Sequence, residues 1–292
     1  MNTEVIQRCN VCESKALDAV DPDCHIARCR DCGYIFDNPR PTLDELIGFY
    51  SQPSQYDSWL DEFEARQRLW KRRLKALEPT RKTGSLLDVG TGIGQFLAVA
   101  RDSYAEVYGT EVSSAATQIA KQKYHLDLLQ GTIDDLDMRG KVFDNITLFH
   151  VLEHVPDPRS VLTKCHSLLV AQGVLAIAVP NEVTSLRAYL RRKLAAGAIK
   201  QGRVGKFGLP RISLDQIGAE VHLSHFTPKV LRRLLQTVGF SVVEETLDPY
   251  YVLTGLAELR SDIYYYCCLV FRQLFRLNLY DSMLVIARKQ NI

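Results

Sequence analysis

Two groups of residues in this chain have the types and spacing that support chemistry: acids beside a glycine-rich turn, and cysteines in two close pairs. In the first group, Asp88, Gly90, Gly92 and Gly94 alternate with other residues at the end of the short buried strand expected over 86–89. Glycine has no Cβ, so a ligand can approach its backbone closely. Free N–H groups at the start of a following helix favour a negatively charged group. The stretch therefore predicts a nucleotide-like site at the carboxyl end of a strand.

The spacing of the glycines argues against two phosphate-binding motifs. A dinucleotide fingerprint has the form Gly-x-Gly-x-x-Gly, and its third glycine would fall at Gln95. A P-loop needs a Gly-Lys-Ser/Thr sequence, which does not follow here. The acid at the end of the strand, Asp88, would repel a pyrophosphate but can meet a cation. An ordinary strand-to-helix turn is the simplest alternative for this stretch on its own.

The stretch from Asp88 to Gly94 resembles motif I of the class I S-adenosylmethionine-dependent methyltransferases. Their cofactor carries a sulfonium, an amino group and a carboxylate, but no phosphate. Matching strands and loops follow, so the resemblance covers about residues 84–181. It implies that the acid ending the second strand, Glu111, accepts both ribose hydroxyls. The cofactor-binding residues that it implies are Asp88, Gly90, Thr91, Gly92, Gly94, Gln95, Glu111, Val112, Thr132, Ile133, Asp134, Phe149 and His150.

The order of these blocks predicts an α/β fold. We expect a Rossmann-like, seven-stranded class I methyltransferase sheet with an antiparallel C-terminal hairpin edge over 241–247 and 283–288, preceded by a small zinc-ribbon-like module. The chain has 292 residues, of which 46% are hydrophobic and 24% charged, as in a globular protein with a substantial core. The expected domains are the zinc-ribbon-like module at 1–41, a helical cap at 42–80 with one long helix over 56–77, and the methyltransferase domain at 81–292, which includes a basic lid at 182–226.

The cysteines near the N-terminus form two C-x-x-C pairs that are separated by 16 residues. Four thiolates at this spacing can close a structural zinc site and stabilise a segment too small to have a core of its own. Cys24 and His25 lie between the pairs, and either could replace a ligand. A redox pair or a catalytic zinc is less favoured, because no thioredoxin-like unit surrounds the pairs and four cysteines leave no open position. The expected zinc ligands are Cys9, Cys12, Cys29 and Cys32.

A general base is needed if the methyl acceptor is an oxygen. The acceptor must be aligned with the C–S bond and must lose a proton, and histidine is the side chain that titrates nearest to neutral pH. On a helical turn, His150 and His154 would share a face, and Glu153 would point elsewhere. We expect His154 to be the base, with His225 as the second candidate; each could instead be structural. The catalytic candidates are His150, Glu153, His154, His222 and His225.

Charge and hydropathy limit the expected partners. The net charge of +2 at pH 7 does not favour nucleic acid. Residues 182–221 hold eight Lys or Arg against three acids, which indicates either a lid that meets a phosphate or carboxylate, or a solvated helix face. No signal peptide or transmembrane segment is expected, and we expect a cytoplasmic location with reduced thiols. A helix expected over 255–277 could pack on the core, form a homodimer or lie on a membrane surface.

The combined patterns predict an enzyme that transfers a methyl group from S-adenosylmethionine to a small molecule, at oxygen more than at carbon. The pattern Cys29-x-x-Cys32-Gly-Tyr followed by Asn-Pro-Arg-Pro resembles N-terminal modules of bacterial methyltransferases that act on sugars, glycans or specialised metabolites. The acceptor could be phosphorylated, or linked to a nucleotide or lipid. Structural Zn²⁺ would be the second cofactor. Two alternatives stay open: a methyltransferase that modifies RNA or protein, and a non-catalytic protein that binds S-adenosylmethionine.

Overall fold

The computed structural model describes residues 1–194, 208–209, 211–216 and 218–290. The strands of this part of the chain are β1 (Thr3–Glu4), β2 (Leu17–Asp21), β3 (Ile26–Cys29), β4 (Ile35–Asp37), β5 (Arg40–Pro41), β6 (Ser85–Val89), β7 (Glu106–Glu111), β8 (Leu129–Gln130), β9 (Phe143–Phe149), β10 (Leu169–Pro180), β11 (Ser224–His225), β12 (Phe240–Leu247) and β13 (Ser282–Lys289). Its α-helices are α1 (Leu43–Tyr50), α2 (Asp57–Asp61), α3 (Phe63–Leu77), α4 (Gln95–Ala100), α5 (Ser114–Tyr124), α6 (Pro158–Leu168), α7 (Leu186–Leu194), α8 (Pro228–Thr237) and α9 (Gly255–Phe275).

Seven strands form the central sheet, in the spatial order β12-β13-β10-β9-β6-β7-β8. The strands from β10 to β8 run parallel, whereas β13 is antiparallel to both β10 and β12. The predicted seven-stranded sheet with an antiparallel C-terminal edge is confirmed. The chain runs outward from β6 to β8 and then returns to β9 on the other side of β6. The carboxyl end of β6 is therefore the topological switch point, where open α/β sheets bind ligands.

Apolar residues on both faces of the central strands explain why the sheet is buried. Along β6, Leu87 and Val89 face one apolar layer, whereas Leu86 faces the other. Successive side chains of a strand point to opposite faces, so a parallel strand covered by helices on both sides needs apolar residues at nearly every position. The buried polar residue of β6 is Asp88, which lies near the end of the strand, where the site begins.

Polar caps fix the starts of several helices. The hydroxyl of Thr227 accepts a hydrogen bond from a backbone N–H of α8, and Pro228 is the first residue of that helix, as the sequence predicts. Ser113 caps α5 in the same way. Asp157 caps α6, which also begins with a proline. These caps place the helices directly after the loops that carry the site.

The N-terminal module contains two small sheets, and one of them includes a strand from far along the chain. Strand β1 pairs with β5, while β2, β3 and β4 form an antiparallel sheet. Strand β11 adds to β4, with Ser224 opposite Phe36 and His225 opposite Ile35. The hydroxyls of Tyr34 and Ser224 share a buried hydrogen bond of 2.5 Å. The end of the predicted lid region is thus built into the sheet of the module.

The cap differs from the predicted single helix over 56–77. It is divided into α2 and α3 by Glu62, whose φ and ψ of −87° and 20° are not helical. The break allows the ring of Trp59 to lie against Gly92, while Trp70 of α3 packs into an apolar layer of the sheet. The apolar pattern continues across the break, so periodicity alone does not reveal it.

Helix α9 spans 21 residues and is only partly covered by the rest of the molecule. Its inner face packs Cys268 and neighbouring tyrosines against Leu247 and Tyr280. The opposite face carries large apolar side chains that are exposed. Within the described ranges, no helix combines the length and hydropathy that crossing a bilayer requires.

Candidate active site

The glycine-rich turn after β6 is enclosed between the cap and the segment that follows β9. Gly90 and Gly92 have φ angles of 64° and 59°, in the left-handed region that glycine adopts at little cost. A Cβ on Gly92 would lie 2.7 Å from Cζ3 of Trp59, and a Cβ on Gly90 would lie 2.7 Å from Cγ2 of Val151. Both positions therefore require glycine. The second contact brings the histidine-containing segment against the predicted cofactor turn.

Two acids, Asp88 and Glu111, end neighbouring strands and are almost completely buried. The Glu111 carboxylate accepts hydrogen bonds from the N–H groups of Gly92 (2.8 Å) and Ser113 (2.9 Å). Asp88 accepts a hydrogen bond of 2.6 Å from the hydroxyl of Thr147. Burial raises the pKa of Asp88 to about 6 and also raises the pKa of Glu111. A carboxylate has about four acceptor sites, so each acid can still receive a ligand hydroxyl or ammonium.

The cap is tied to the turn through Gln95 and two tryptophans. The side chain of Gln95 accepts a hydrogen bond from Nε1 of Trp70 (3.3 Å) and donates one to the carbonyl of Trp59 (3.2 Å). The guanidinium of Arg66 lies 4.3 Å from the centroid of the Trp59 ring. No motif in the sequence singles out Trp59 or Arg66. The available signal was that both residues lie in the segment expected to form a helical cap.

The remaining predicted cofactor residues follow strand ends on the same edge of the sheet. In the loop after β8, Ile133 is buried, Thr132 donates a hydrogen bond of 2.6 Å to Asp135, and Asp134 accepts one of 3.1 Å from Ser160. Phe149 ends β9 and is buried. Thr91 and Val112 lie in the loops after β6 and β7. The strand ends thus bring the predicted cofactor residues to one edge of the sheet.

The segment from His150 to His154 is a turn and not the predicted helical turn with a shared histidine face. His150 has a left-handed φ of 57°, which reverses the chain direction directly after β9. Glu153 consequently points between the two histidines, with its carboxylate 3.1 Å from Nδ1 of His150 and 3.9 Å from Nε2 of His154. The expectation that Glu153 points elsewhere is wrong, because it assumed helical geometry.

Glu153 places a buried negative charge among three histidines. Its side chain is fully buried, and neither carboxylate oxygen accepts a well-formed hydrogen bond from the described residues. Burial alone would raise the pKa of Glu153, but the nearby rings of His150, His154 and His222 outweigh burial and lower it. The carboxylate is therefore ionised and stabilises positive charge on the rings around it.

His154 is the histidine whose environment keeps it neutral. Its Nδ1 lies 2.8 Å from the carbonyl of Val221 and 3.0 Å from the hydroxyl of Tyr50. A carbonyl can only accept, so Nδ1 carries the proton and Nε2 has the free lone pair. Burial lowers the pKa of His154. Neutral His154 can therefore accept a proton at Nε2.

His150 belongs to a buried ion-pair network that the sequence does not indicate. Its Nε2 lies 3.1 Å from the Asp248 carboxylate, which also receives hydrogen bonds of 2.8 and 2.6 Å from Arg73. Tyr250 stacks on the His150 ring with centroids 4.2 Å apart. Burial would lower the pKa of His150, but its contacts with Asp248 and Glu153 outweigh burial and raise it. Asp248 and Tyr250 follow β12, far along the chain from motif I, so no local motif connects them to it.

His222 and His225 are held by carboxylates. His225 has both ring nitrogens engaged, Nε2 at 2.9 Å from Asp37 and Nδ1 at 2.8 Å from Glu182. His222 lies 3.1 Å from Glu182 through Nδ1 and 3.5 Å from Glu220 through Nε2. Burial opposes protonation of both rings, but these acids raise the pKa of His225 to about 9 and that of His222 well above its ordinary value. Both rings are positively charged at neutral pH.

Among the described residues, two groups of side chains have the spacing that a metal ion can use. The four sulfurs of Cys9, Cys12, Cys29 and Cys32 lie within 4.8 Å of one another, and these cysteines form no disulfides. Cys24 lies apart from them in a separate apolar cluster with Ile26, Ile35 and Leu209. The second group is Glu153, His154 and His222, whose ligand atoms also lie within 4.8 Å of one another.

Comparison with known proteins identifies the family to which most of this chain belongs. A family model described as a methyltransferase domain matches residues 63–245, which is more than half of the chain. This chain belongs to that methyltransferase family. The prediction of an S-adenosylmethionine-dependent methyltransferase is confirmed.

Individual relatives give the same result. A Coxiella burnetii protein named ubiquinone biosynthesis O-methyltransferase is 32% identical over 198 residues, which cover 65% of this chain and 79% of that protein. A Haemophilus ducreyi protein of the same name is 34% identical over 115 residues, which cover 36% of this chain and 48% of that protein. This chain therefore spans about half the length of that relative. The structure of an S-adenosylmethionine-dependent methyltransferase from Archaeoglobus fulgidus has a TM-score of 0.50 at 18% identity, covering 80% of this chain and 100% of that one. This last likeness shows the fold alone.

Proposed function

We propose that this protein is an enzyme that transfers the methyl group of S-adenosylmethionine to an oxygen of a small-molecule acceptor. One contact carries the proposal: Val151, between His150 and His154, lies against Gly90 of the cofactor turn. A neutral histidine and the cofactor are thereby neighbours at the switch point of the sheet. The relatives that are named O-methyltransferases favour oxygen as the acceptor atom.

The residues of the turn fit the cofactor's charges. We assign Asp88 to its amino group and Glu111 to its ribose hydroxyls, since both are fixed, buried carboxylates. Arg73 is also a candidate: its Nη1 is buried without a hydrogen-bond partner among the described residues, and its guanidinium lies 4.8 Å from the Phe149 ring. We assign this nitrogen to the cofactor's carboxylate. When bound, the cofactor supplies an electrophilic methyl group on a sulfonium.

His154 is the base in this proposal. The carbonyl of Val221 and the hydroxyl of Tyr50 hold its ring through Nδ1, and this leaves Nε2 to take the proton of the acceptor hydroxyl. The buried charge of Glu153, 3.9 Å from Nε2, stabilises the imidazolium that forms. His225 serves as a structural cation, because both of its nitrogens are already bonded to carboxylates.

The acceptor that we propose is a sugar, a glycan or a specialised metabolite that carries a phosphate or is linked to a nucleotide or lipid. The support is the basic segment after β10. In α7, Arg187 pairs with Asp281 at 3.0 Å and Arg192 donates to the carbonyl of Val183 at 2.7 Å. Arg191 and Lys193 are exposed. Three further basic residues of the proposed lid, Lys200, Arg203 and Lys206, lie outside the described residues.

Cofactor binding can be tested without knowing the acceptor. We expect Asp88→Ala and Glu111→Ala to weaken binding of S-adenosylhomocysteine at pH 7.5 by at least about tenfold each, since a hydrogen bond to a charged group contributes about 1.5–3 kcal/mol. Isothermal titration calorimetry measures this, with the exposed acid variant Asp102→Ala as the matched control. Wild-type affinity in both site variants would contradict the assignment.

The pH dependence of methyl transfer tests the base. The pKa of His154 lies below its ordinary value, so the neutral form dominates above that pH. At saturating S-adenosylmethionine, we expect kcat to rise with pH, to reach half of its maximum below about pH 6.5, and to stay level through pH 8. The measurement is release of S-adenosylhomocysteine with an acceptor identified among nucleotide-linked sugars, phosphorylated sugars and specialised metabolites.

A matched pair of variants completes the pH experiment. His154→Gln should lower kcat by about 10²–10⁴-fold and remove the rise with pH, whereas the exposed His125→Asn should change neither. Repeating the wild-type pH profile after EDTA treatment tests whether a metal ion bound by Glu153, His154 and His222 contributes to that profile. A variant His154→Gln that keeps the wild-type profile would exclude this histidine as the base.

We also propose that the four N-terminal cysteines hold a structural Zn²⁺. The sulfurs of Cys9 and Cys32 are 3.4 Å apart, and those of Cys12 and Cys29 are 3.6 Å apart. Sulfurs bound to a tetrahedral zinc at about 2.3 Å lie roughly 3.8 Å apart, so the spacing fits this ion. Four thiolates leave no open position, and the zinc would have a structural role.

Metal analysis of the purified full chain tests the zinc site. We expect about one zinc per chain in the wild type, and loss of most of it in Cys12→Ser together with a lower melting temperature, because the binding energy of a structural zinc is folding energy. Cys267→Ser, on the exposed face of α9, and Cys24→Ser should keep the metal. Equal zinc content in Cys12→Ser and the wild type would rule out this ligand set.

The exposed face of α9 supports a further proposal, a homodimer. Six apolar residues repeat every three or four positions along the helix and are 54–76% exposed: Leu256, Leu259, Ile263, Tyr266, Val270 and Leu274. Together they form one continuous apolar stripe, and contiguous exposed apolar surface of this kind marks an interaction site. The helix has two acids and two arginines and no lysine, so it lacks the basic face of a membrane-surface helix. We therefore assign a second copy of this chain as its partner.

Sedimentation over a range of protein concentrations tests the dimer. We expect Ile263→Glu to weaken self-association by at least about 100-fold, because each dimer would bury two unpaired charges. Ala257→Glu adds the same charge on an exposed position outside the apolar stripe and should leave the dimer intact. A wild type that sediments as a monomer at all concentrations would refute the proposal.

A further inference from the structure

The zinc-ribbon-like module and the histidines of the site share one strand pair. Strand β11 pairs with β4 of the module, and the N–H of Asp37 donates a hydrogen bond of 3.0 Å to the carbonyl of Leu223. His225 lies within this pairing, and His222 directly precedes Leu223. The N–H groups of Leu223 and Ser224 in turn donate to the carbonyl of Glu153, at 2.7 and 3.1 Å. Backbone bonds therefore connect the module to the acid at the centre of the histidine group.

A chain of side chains follows the same path. Asp37 of the module lies 2.9 Å from Nε2 of His225, and Nδ1 of His225 lies 2.8 Å from one oxygen of Glu182. The other oxygen of Glu182 lies 3.1 Å from Nδ1 of His222. The His222 ring meets the His154 ring edge to face, with centroids 4.9 Å apart. One carboxylate of the module is thus linked through three side chains to the proposed base.

Burial makes this chain stiff. Asp37 and His225 are 1% and 3% exposed, so water cannot replace either partner. Removing one partner of a buried charge pair leaves the other uncompensated, and the remaining groups must rearrange. The Asp37 carboxylate therefore determines where the His225 ring lies, and Glu182 transmits that position to His222.

We propose that Asp37 of the zinc-ribbon-like module is a positioning residue of the active site, which holds His222 against His154 through His225 and Glu182. The module is then part of the catalytic architecture and does more than stabilise the N-terminus. The effect on catalysis rests on the proposed function, whereas the coupling between module and histidines concerns the folded chain alone.

The ring signals of the histidines test the coupling directly. The experiment uses zinc-replete, full-length protein labelled with ¹⁵N-histidine, with His222 and His225 assigned through single His→Gln variants. We expect Asp37→Asn and Glu182→Gln each to move the His222 ring nitrogen signals, and the double variant to move them no further than one single variant, because both act through one chain. Asp18→Asn, in an exposed pair with Arg30 of the same module, should leave His222 unchanged.

Three results would overturn the proposal: a His222 signal that Asp37→Asn leaves in place, a change that Asp18→Asn reproduces, or effects of Asp37→Asn and Glu182→Gln that simply add. If Asp37→Asn loses zinc or unfolds, Glu182→Gln decides alone, since Glu182 lies outside the module. It must then move the signals of both His222 and His225, and an unchanged signal in either would refute the coupling. Binding of S-adenosylhomocysteine to Asp37→Asn should stay within about twofold of wild type, because its sites lie on other strands.

The same variants separate this inference from the proposed function. If Asp37→Asn moves the His222 signals but His154→Gln keeps full methyl transfer, His154 is not the base and the coupling still holds. If His154→Gln loses methyl transfer but Asp37→Asn leaves the His222 signals in place, His154 remains the base and the coupling is refuted. With both intact, Asp37→Asn should lower kcat at least about tenfold with little change in the KM for S-adenosylmethionine.

Discussion

The acids at the carboxyl edge of the sheet are buried, and a buried carboxylate needs hydrogen bonds or a cation to be stable. Asp88 takes a hydroxyl from Thr147, Glu111 takes two backbone N–H groups, and Asp248 takes the guanidinium of Arg73. Removing one partner of such a buried pair costs about 3–5 kcal/mol. These requirements bring together the ends of β6, β7 and β9, the cap helix α3 and the residues that follow β12.

The surroundings of Glu153 differ from those of the other buried acids. Its backbone carbonyl accepts two hydrogen bonds from the β11 segment, whereas its carboxylate lies beside three histidine rings and accepts no well-formed hydrogen bond from the described residues. The Glu153 charge favours protonation of all three neighbouring rings. The pKa values of His150 and His222 are raised, whereas at His154 burial outweighs this charge and lowers the pKa. Titratable groups whose pKa values are driven apart in one site are the usual arrangement for acid–base chemistry.

The local parts of the site could be predicted from the sequence, and the long-range parts could not. The grouping of Asp88, the glycines of the turn and Glu111 could be predicted because they lie within 24 residues of one another along a strand–turn–helix–strand unit. The cysteine group was found from two short spacings. The orientation of Glu153 was missed because a single left-handed residue, His150, replaces the expected helical turn. Arg73 and Asp248 were missed because they are 175 residues apart and only the folded sheet makes them partners.

The sequence by itself determined the fold family, the antiparallel edge of the sheet, the glycine-rich turn and the sulfur cluster, because each depends on residue types at short and regular spacing. Only the tertiary structure decided which histidine has a free ring nitrogen and which ones are held as cations. It also decided that β11 joins the sheet of the N-terminal module, so that Asp37 meets His225 across 188 positions of the chain. Protonation depends on burial and on the nearest charges, and here those charges come from strands and loops that are distant in sequence.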